Sequence, residues 1–335
     1  MKKTAIVLGG GGFIGGHLAK RLKAEGYFVR VCDIKNHEFF KHEDICDEFI
    51  LTDLTIPSEV QKVIIESCDE VYQLAADMGG AGYIFTGLND ASVIHDSAMI
   101  NLNVAKICSI KKVKKVFYSS SACIYPDYNQ KDSNNPNCEE NSAYPANPDS
   151  EYGWEKLFSE RVYFAFHRNC NLDIRIARFH NIYGPYGTWS GGKEKAPAAM
   201  LRKAAEAGNS DNIEVWGDGN QTRSFLYIDD CIDAVRAFMN SNFLGPVNIG
   251  SDEMVTLNKL AGLAIEVSKK EIGVKNLFGQ EFIDKYGFKV PLGVNGRNSH
   301  NKLFLEKVGY KFKNSLLEGL MKTYPWIKEQ VEKND

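Results

Sequence analysis

Near its N-terminus the chain reads TAIVLGGGGFIG over residues 4–15, an apolar run followed closely by glycines. The apolar run predicts a buried β-strand. Gly9, Gly12 and Gly15 have the spacing Gly-x-x-Gly-x-x-Gly. Glycine permits a tight turn here and lets a phosphate group approach the N-terminus of the helix that follows. A glycine motif between a strand and a helix is typical of a dinucleotide-binding α/β domain.

Outward from this turn, short apolar segments alternate with helical patterns. The predicted strands cover residues 28–32, 48–51, 70–74, 115–119 and 172–178. The predicted helices cover residues 12–25, 58–66, 90–110 and 152–169. Strands that alternate with crossover helices predict an α/β fold, a doubly wound parallel sheet of the Rossmann type.

After about residue 185 the pattern loosens, with a short strand at 213–216 and helices at 197–207 and 257–268. We therefore expect a smaller, mixed α/β C-terminal lobe. The predicted division places residues 1–184, with 221–250 returning, in the dinucleotide-binding domain, and residues 185–220 and 251–335 in the smaller lobe. Residues 131–148 are rich in Asn, Pro and Asp, which predicts an exposed loop.

The composition is that of an ordinary globular protein, with 335 residues, 44% hydrophobic and 25% charged. A net charge of -3 does not indicate a nucleic acid or an anionic membrane as partner. There is no signal-peptide pattern and no apolar run of the roughly 18 residues that a membrane span needs. The eight cysteines form no Cys-x-x-Cys pair, so we expect reduced thiols in a cytoplasmic protein and no metal site.

The end of the second predicted strand indicates which dinucleotide is bound. Asp33 lies 18 residues beyond Gly15, where a carboxylate accepts hydrogen bonds from the hydroxyls of the adenosine ribose. A 2′-phosphate would be repelled there, which favours NAD. Arg30 and Lys35 lie nearby and leave NADP as the alternative.

Other cofactor contacts are predicted at the glycine turn and at the ends of the third and fourth strands. For Asp53, a helix-capping or solvated role is as good an interpretation as contact with adenine. The predicted contacts outside the glycines and Asp33 are Phe13, Ile14, Asp53, Leu54, Leu74, Ala75 and Ala76.

A Tyr-x-x-x-Lys pair indicates the chemistry. Tyr152 and Lys156 lie four residues apart at a helix start, so they share one face. A tyrosine with a pKa of about 10 is a poor base, and a lysine cation stabilises its phenolate. The pair can then remove a hydroxyl proton while hydride leaves for a nicotinamide, and Ser121 would bind the same hydroxyl.

Further segments carry a resemblance to a known family. They are residues 75–80 (AADMGG), 120–126 (SSACIYP), 178–185 (RFHNIYGP), 194–199 (EKAPAA), 216–219 (WGDG), 221–225 (QTRSF), 248–254 (NIGSDEM) and 296–299 (GRNS). Together they span nearly the whole chain. The chain resembles the extended short-chain dehydrogenases/reductases that act on nucleotide sugars, and within that group the GDP-mannose 3,5-epimerase family.

The resemblance implies a mechanism and a second pair of functional residues. NAD would oxidise carbon 4 of a GDP-linked hexose, and the ketone would acidify the protons on carbons 3 and 5. Cys123 and Lys195 would form the acid/base pair that inverts these centres, alongside Ser121, Tyr152 and Lys156.

The resemblance also implies substrate contacts and an assembly. Arg223 and Arg297 suit pyrophosphate oxygens, because a guanidinium binds phosphate bidentately. Helices 91–110 and 152–169 would pair with their copies as a four-helix bundle in a homodimer. The implied substrate-binding residues are Gly79, Ser121, Ala122, Cys123, His180, Asn181, Glu194, Lys195, Ala196, Lys203, Gln221, Thr222, Arg223 and Arg297.

Four alternatives remain at this stage. His300 stands where the family usually carries an acid, so a GDP-linked heptose is an alternative substrate. A 4-epimerase or 4-dehydrogenase would need Ser121, Tyr152 and Lys156 but no second pair. A 4,6-dehydratase would want acidic residues at 122 and 123, and a non-catalytic NAD sensor would not need Tyr152 and Lys156.

Overall fold

The computed structural model describes residues 2–290 and 293–334. Its strands are β1 (Thr4–Leu8), β2 (Phe28–Asp33), β3 (Glu48–Leu51), β4 (Glu70–Gln73), β5 (Lys115–Ser121), β6 (Ile174–Phe179), β7 (Ile182–Tyr183), β8 (Asn212–Trp216), β9 (Thr222–Ser224), β10 (Leu226–Tyr227), β11 (Val247–Ile249), β12 (Met254–Thr256), β13 (Gly273–Leu277) and β14 (Gly296–Arg297). Its helices are α1 (Phe13–Ala24), α2 (His42–Ile45), α3 (Pro57–Val63), α4 (Ala81–Ile84), α5 (Asp90–Ile110), α6 (Glu151–Cys170), α7 (Ala196–Glu206), α8 (Ile228–Asn240), α9 (Leu257–Ser268), α10 (Gly279–Tyr286), α11 (Lys302–Val308) and α12 (Leu316–Asn334).

Seven of these strands form one parallel sheet in the order β11-β6-β5-β4-β1-β2-β3. This confirms the predicted α/β fold with a doubly wound sheet. The strand order reverses between β1 and β4, which leaves a crevice at the carboxyl ends of these two strands. Ligands of open α/β sheets bind in such a crevice.

The alternating side chains of β1 connect the sheet to helices on both of its faces. Ala5 and Val7 belong to the apolar cluster that includes residues of α1 and α8. Ile6 and Leu8 belong to a second cluster that includes residues of α3 and α5. All four side chains are completely buried, so β1 is the central strand of a three-layer arrangement.

The C-terminal half adds smaller sheets around the carboxyl edge of the large one. β8 pairs with β13, and β12, β9 and β14 form a three-stranded sheet. β11 instead returns to the main sheet beside β6. The predicted division into two domains stays a prediction, and residues 1, 291, 292 and 335 of its ranges lie outside the described residues.

Two local predictions differ from the structure. The helix expected over 58–66 ends at Val63, because Ile64 already has an extended backbone. The segment 131–148 is not simply exposed: Cys138 and Ala143 are buried. The side-chain amide of Asn248 donates to the carbonyl of Cys138 at 2.8 Å, which fixes this loop against the end of β11.

Within the residues that the structure describes, no helix is both long and apolar enough to cross a membrane.

Candidate active site

The glycine turn after β1 requires glycine at two of its motif positions. Gly9 has φ +86°, and a Cβ there would lie 2.7 Å from the backbone nitrogen of Ala75. A Cβ on Gly15 would lie 2.2 Å from the carbonyl oxygen of Gly9. The start of α1 can therefore approach β1 and β4 only without side chains here, which leaves its N-terminal N–H groups available to a phosphate.

Asp33 holds its carboxylate beside this turn. Its two oxygens accept the N–H of Gly11 at 2.9 Å and the N–H of Lys35 at 3.2 Å. Burial raises the pKa of Asp33, and these backbone hydrogen bonds lower it in part. The guanidinium of Arg30 pairs with Glu48 at 2.7 Å. Arg30 is thus engaged elsewhere, and a carboxylate next to the turn fits a ribose diol better than a 2′-phosphate.

The other predicted cofactor residues surround the same crevice. Phe13 and Ile14, at the start of α1, and residues 74–76, which follow β4, are half-buried, whereas Leu54 is buried. A cavity beside the turn is lined by Gly11, Gly12, Phe13, residues 35–39 and residues 186–188. The carboxylate of Asp53 accepts two hydrogen bonds from Thr55 at 2.8 Å, which closes a local turn before α3 and does not cap that helix.

Tyr152 and Lys156 lie in the first turns of α6. The hydroxyl of Ser150 accepts the N–H of Gly153 at 3.3 Å and caps this helix. The ammonium of Lys156 donates to the carbonyl of Ser119 at 2.9 Å and lies 5.6 Å from the centroid of the Tyr152 ring. The lysine is thereby held between the end of β5 and the tyrosine.

Burial perturbs both members of this pair. It raises the pKa of Tyr152, which Cys123 raises further and a hydrogen bond from Ser121 lowers in part. It lowers the pKa of Lys156, which the nearby Glu155 raises in part. Perturbed groups of this kind are typical of active sites. The tyrosine is a poor base unless a positive charge lies beside it, and Lys156 can supply that charge.

Cys123 lies in a short 3₁₀ turn, Ala122–Ile124, that directly follows β5. Its N–H donates to the hydroxyl of Ser121 at 3.2 Å, and its side chain packs against Tyr152. A Cβ on Gly153 would lie 2.2 Å from the carbonyl oxygen of Cys123. The glycine therefore lets the turn rest on α6 and brings the sulfur close to the tyrosine.

Lys195 reaches the same site from the residue that precedes α7. Burial lowers its pKa, while Cys123 raises it and Arg297 lowers it further, so the three groups lie close enough to interact. The adjacent Glu194 pairs with Arg202 at 3.2 Å, which ties the loop before α7 to the helix. The structure thus brings the predicted thiol and amine to the Tyr152 pocket.

Arg297, predicted to bind pyrophosphate, is directed elsewhere. Its guanidinium donates to the sulfur of Cys123 at 3.1 Å, to a carboxylate oxygen of Asp149 at 3.0 Å and to the side-chain oxygen of Gln130 at 2.6 Å. All three of its nitrogens face groups of the protein. The side chain is engaged at the thiol, and its predicted contact with pyrophosphate stays a prediction.

Arg223 and Lys203 are the other cationic candidates for phosphate binding. Arg223 donates to the carbonyls of Thr222 and Val294 at 2.8 and 2.7 Å. Burial and, after it, the charge of Arg297 lower its pKa to about 10. Lys203 donates to the carbonyl of Glu214 at 2.7 Å, and burial is the main cause that lowers its pKa.

His180 departs from its predicted role as a pocket residue. It is 0% exposed, and its Nε2 lies 2.9 Å from the side-chain oxygen of Asn248. Burial lowers its pKa to about 3, so the ring is neutral at physiological pH. The structure places His180 in the hydrogen-bond network beneath the pocket surface. Its neighbour Asn181 is half-exposed and donates to the carbonyl of Ser224 at 3.0 Å.

The remaining predicted substrate residues are spread around the pocket. Gly79, Ala122, Gln221 and Thr222 are buried, and Ala196 is half-buried. The side-chain oxygen of Gln221 has no hydrogen-bond partner among the described residues. A buried acceptor without a partner indicates a place for a donor on a ligand or a water.

Sequence reasoning missed two groups of residues here. Asp149 and Gln130 hold Arg297, but no motif surrounds them. Tyr83 and Lys193 join α4 to the loop before α7, with the ammonium 4.1 Å from the ring centroid. Gly153, in contrast, did have a signal in the sequence. A glycine inside the start of the Tyr-x-x-x-Lys helix needs a packing reason.

Comparison with known proteins places these features in a family. Residues 5–250 match the model of the NAD dependent epimerase/dehydratase family. The chain is 44% identical over 327 residues to a GDP-mannose 3,5-epimerase of Arabidopsis thaliana, which covers 98% of this chain and 82% of that protein. It is also 44% identical over 332 residues to GDP-mannose 3,5-epimerase 1 of Oryza sativa subsp. indica, covering 99% and 83%.

Solved structures agree on the fold. The UDP-glucose 4-epimerase of Thermotoga maritima, solved with UDP-glucose, superposes with a TM-score of 0.82 at 23% identity, over 98% of this chain and 99% of that chain. The resemblance to GDP-mannose 3,5-epimerases that the sequence segments indicated is confirmed by the identity over nearly the full chain. This chain therefore belongs to the NAD-dependent epimerase/dehydratase family, with the GDP-mannose 3,5-epimerases among its relatives.

Proposed function

We propose that this protein inverts carbons 3 and 5 of a GDP-linked hexose, GDP-mannose in the first instance, through temporary oxidation at carbon 4. The observation that carries the proposal is the meeting of a thiol and an amine at the Tyr152 pocket. Cys123 packs against Tyr152, and Lys195 interacts electrostatically with Cys123. A simple 4-epimerase needs neither group.

NAD fits the residues of the crevice. The turn at Gly9 and Gly15 leaves no room for side chains where a pyrophosphate would approach, and Asp33 offers acceptors to a ribose diol. The N–H groups at the start of α1 would hold the phosphates. When bound, NAD would accept hydride from carbon 4 of the sugar and later return it.

Proton transfer at oxygen 4 belongs to Ser121, Tyr152 and Lys156. The Ser121 hydroxyl would bind the sugar hydroxyl, and the Tyr152 oxygen would take its proton. Lys156, held by the carbonyl of Ser119, lowers the cost of the phenolate by placing its ammonium beside the ring. In the return step Tyr152 gives the proton back to the same oxygen.

Proton transfer at carbon belongs to Cys123 and Lys195. A carbonyl at carbon 4 acidifies the protons on carbons 3 and 5, and removal of either gives an enediolate. One group takes the proton from one face of the ring, and the other delivers a proton to the opposite face, which inverts the centre. Burial lowers the pKa of Lys195, so the pH at which its neutral and charged forms are both populated lies closer to neutrality than for an ordinary lysine.

Solvent exchange tests the proposed reaction. The purified protein is incubated in heavy water with GDP-mannose, a GDP-heptose, UDP-glucose or dTDP-glucose, and the sugars are read by NMR. We expect deuterium at carbons 3 and 5 of GDP-mannose. Deuterium in the heptose alone would mean that the heptose, and not GDP-mannose, is the substrate. Inversion at carbon 4 without deuterium would indicate a 4-epimerase. No turnover would indicate a sensor.

We also propose a homodimer through α5 and α6. These two helices pack side by side and carry several exposed apolar side chains. A second copy of the same pair would cover them in a four-helix bundle. The exposed apolar side chains on these two helices are Ile94, Leu102, Ile110, Trp154 and Phe158.

Two further expectations remain proposals. Cytoplasmic location agrees with eight cysteines that are all unpaired thiols. The division into a cofactor domain, residues 1–184 and 221–250, and a nucleotide-sugar lobe agrees with the return of β11 to the main sheet.

A further inference from the structure

The guanidinium of Arg297 is held in place on three sides. Asp149 and Gln130 accept from two of its nitrogens, and the third donates to the sulfur of Cys123. The side chains of Arg297 and Asp149 are only 7% and 9% exposed, and Gln130 is fully buried. Gln130 is itself fixed, because its amide donates to the carbonyl of Tyr125 at 2.9 Å.

We propose that the hydrogen bond from Arg297 favours the thiolate of Cys123 over the thiol, and that Asp149 limits this effect so that the thiolate stays basic enough to take a proton from carbon. Arg297 and Asp149 are then positioning residues, since they act through the sulfur. The role of the sulfur rests on the proposed function, whereas the state of the sulfur does not.

The chemistry gives each partner a definite sign. A hydrogen bond from a guanidinium to an anion is stronger than one to a neutral acceptor, so Arg297 favours the thiolate over the thiol. The carboxylate of Asp149 opposes this, because it neutralises the guanidinium from its other side. When the thiolate accepts a proton from carbon it becomes a thiol, and the bond to Arg297 weakens at that moment.

Other charged and titratable groups also face Cys123. Among them only Arg297 is within hydrogen-bond distance of its sulfur in the described residues. The ammonium groups of Lys156 and Lys195 and the guanidinium of Arg223 favour the thiolate by charge alone. None of the variants considered below replaces these three residues. The groups that interact with Cys123 are Cys138, Tyr152, Lys156, Lys195, Arg223 and Arg297.

Alkylation by iodoacetamide measures the thiolate without any sugar. The other exposed cysteine, Cys170, is removed by Cys170→Ser, which leaves Cys123 as the one cysteine that is not buried. In this background the rate is measured across pH for the unsubstituted site, Arg297→Met and Asp149→Asn. Asparagine at 149 can still accept from Arg297 through its oxygen, so it changes charge with little change in shape.

We expect the pH of half-maximal alkylation to rise by about one unit in Arg297→Met and to fall in Asp149→Asn. A matched control is Asp173→Asn. Asp173 pairs with Arg175, another buried arginine, at 2.5 Å, and this pair lies outside the site. It should leave the curve unchanged. Shifts in the same direction for both site variants, or no shift in Asp149→Asn, would overturn the proposal.

The two proposals fail separately. If the alkylation curves shift as expected but no deuterium enters GDP-mannose, the state of the sulfur stands and the proposed reaction does not. If deuterium enters carbons 3 and 5 while both variants alkylate as the unsubstituted site does, the reaction stands and the roles of Arg297 and Asp149 are wrong.

Discussion

Cys123 and Lys195 are proposed to act at carbon, whereas Tyr152 acts at oxygen, so substitutions should separate the two kinds of step. We expect Cys123→Ala to reduce deuterium incorporation from solvent at least about 100-fold, the usual contribution of a positioned acid or base. Oxidation at carbon 4 should persist, seen as the absorbance of reduced nicotinamide. Lys195→Ala should behave in the same way.

Cys170→Ala is the control for the cysteine, because Cys170 lies exposed at the end of α6. It should exchange at the normal rate. Full exchange in Cys123→Ala would remove the sulfur from the mechanism, and loss of the nicotinamide absorbance as well would mean that the substitution damages the pocket as a whole.

At the scale of residues, the sequence predicts what short motifs carry. Tyr152 and Lys156 follow from a spacing of four on one helix face. The partners of Arg297 do not, since the arginine meets Cys123 across 174 positions of sequence and Asp149 across 148. A resemblance assigns a residue type to a role, but the direction of a long side chain depends on contacts that no local pattern encodes.

The helix that follows the glycine turn depends on its backbone lying close to β1. In Gly15→Ala the new Cβ would lie 2.2 Å from the carbonyl of Gly9, so the start of α1 must shift away from the cofactor site. We expect NAD affinity to fall about tenfold or more, or roughly 1.4 kcal/mol of binding, together with a lower Tm. Calorimetric titration with NAD and thermal unfolding measure the two effects.

Gly262 provides the matched glycine. It lies within α9, and a Cβ there meets nothing within 4 Å. Gly262→Ala should therefore stabilise the protein by about 0.5–1 kcal/mol and leave NAD affinity unchanged. Equal NAD affinity in Gly15→Ala and Gly262→Ala would mean that the turn does not hold the dinucleotide.

At the scale of elements, periodicity predicted α5 and α9 to the residue and each strand that it placed to within two residues. For the loop 131–148, composition predicted exposure correctly at most positions but not at Cys138 and Ala143. A composition rich in Asn, Pro and Asp favours exposure, yet the loop supplies the carbonyl of Cys138 to Asn248 and ends at Asp149, beside Arg297. Its order comes from partners on β11 and β14, which lie more than 100 positions away.

The assembly of the whole molecule should depend on the apolar face of α5 and α6. Leu102 and Phe158 are 38% and 47% exposed on that face. We expect Leu102→Asp combined with Phe158→Asp to give the mass of a single chain in sedimentation equilibrium, because burying two carboxylates in an apolar interface is costly. Met321→Asp, at an exposed position of α12, should keep the dimer. A single-chain mass for the unsubstituted protein would exclude the bundle.

The stability of the whole molecule should depend on pH through a histidine that lines the cavity beside the glycine turn. His37 is 7% exposed, and its Nδ1 accepts the N–H groups of Phe39 and Phe40, both at 3.1 Å. Burial and, after it, nearby His17 lower its pKa to about 4. The unfolded chain binds this proton below a pH of about 6.5, and the folded protein does so only below about 4, so stability falls as the pH falls through that window.

His37→Asn removes this titration and keeps the turn, because the asparagine oxygen can accept the same two N–H groups. Between pH 6.5 and pH 4 the free energy of unfolding, measured in urea, should fall less steeply in His37→Asn than in the unsubstituted protein. We expect the difference in slope to be about 1.4 kcal/mol per pH unit. His95→Asn, at a histidine whose side chain is 71% exposed, should leave the slope unchanged. Parallel curves for His37→Asn and the unsubstituted protein would mean that His37 is protonated in the folded state as readily as in the unfolded chain.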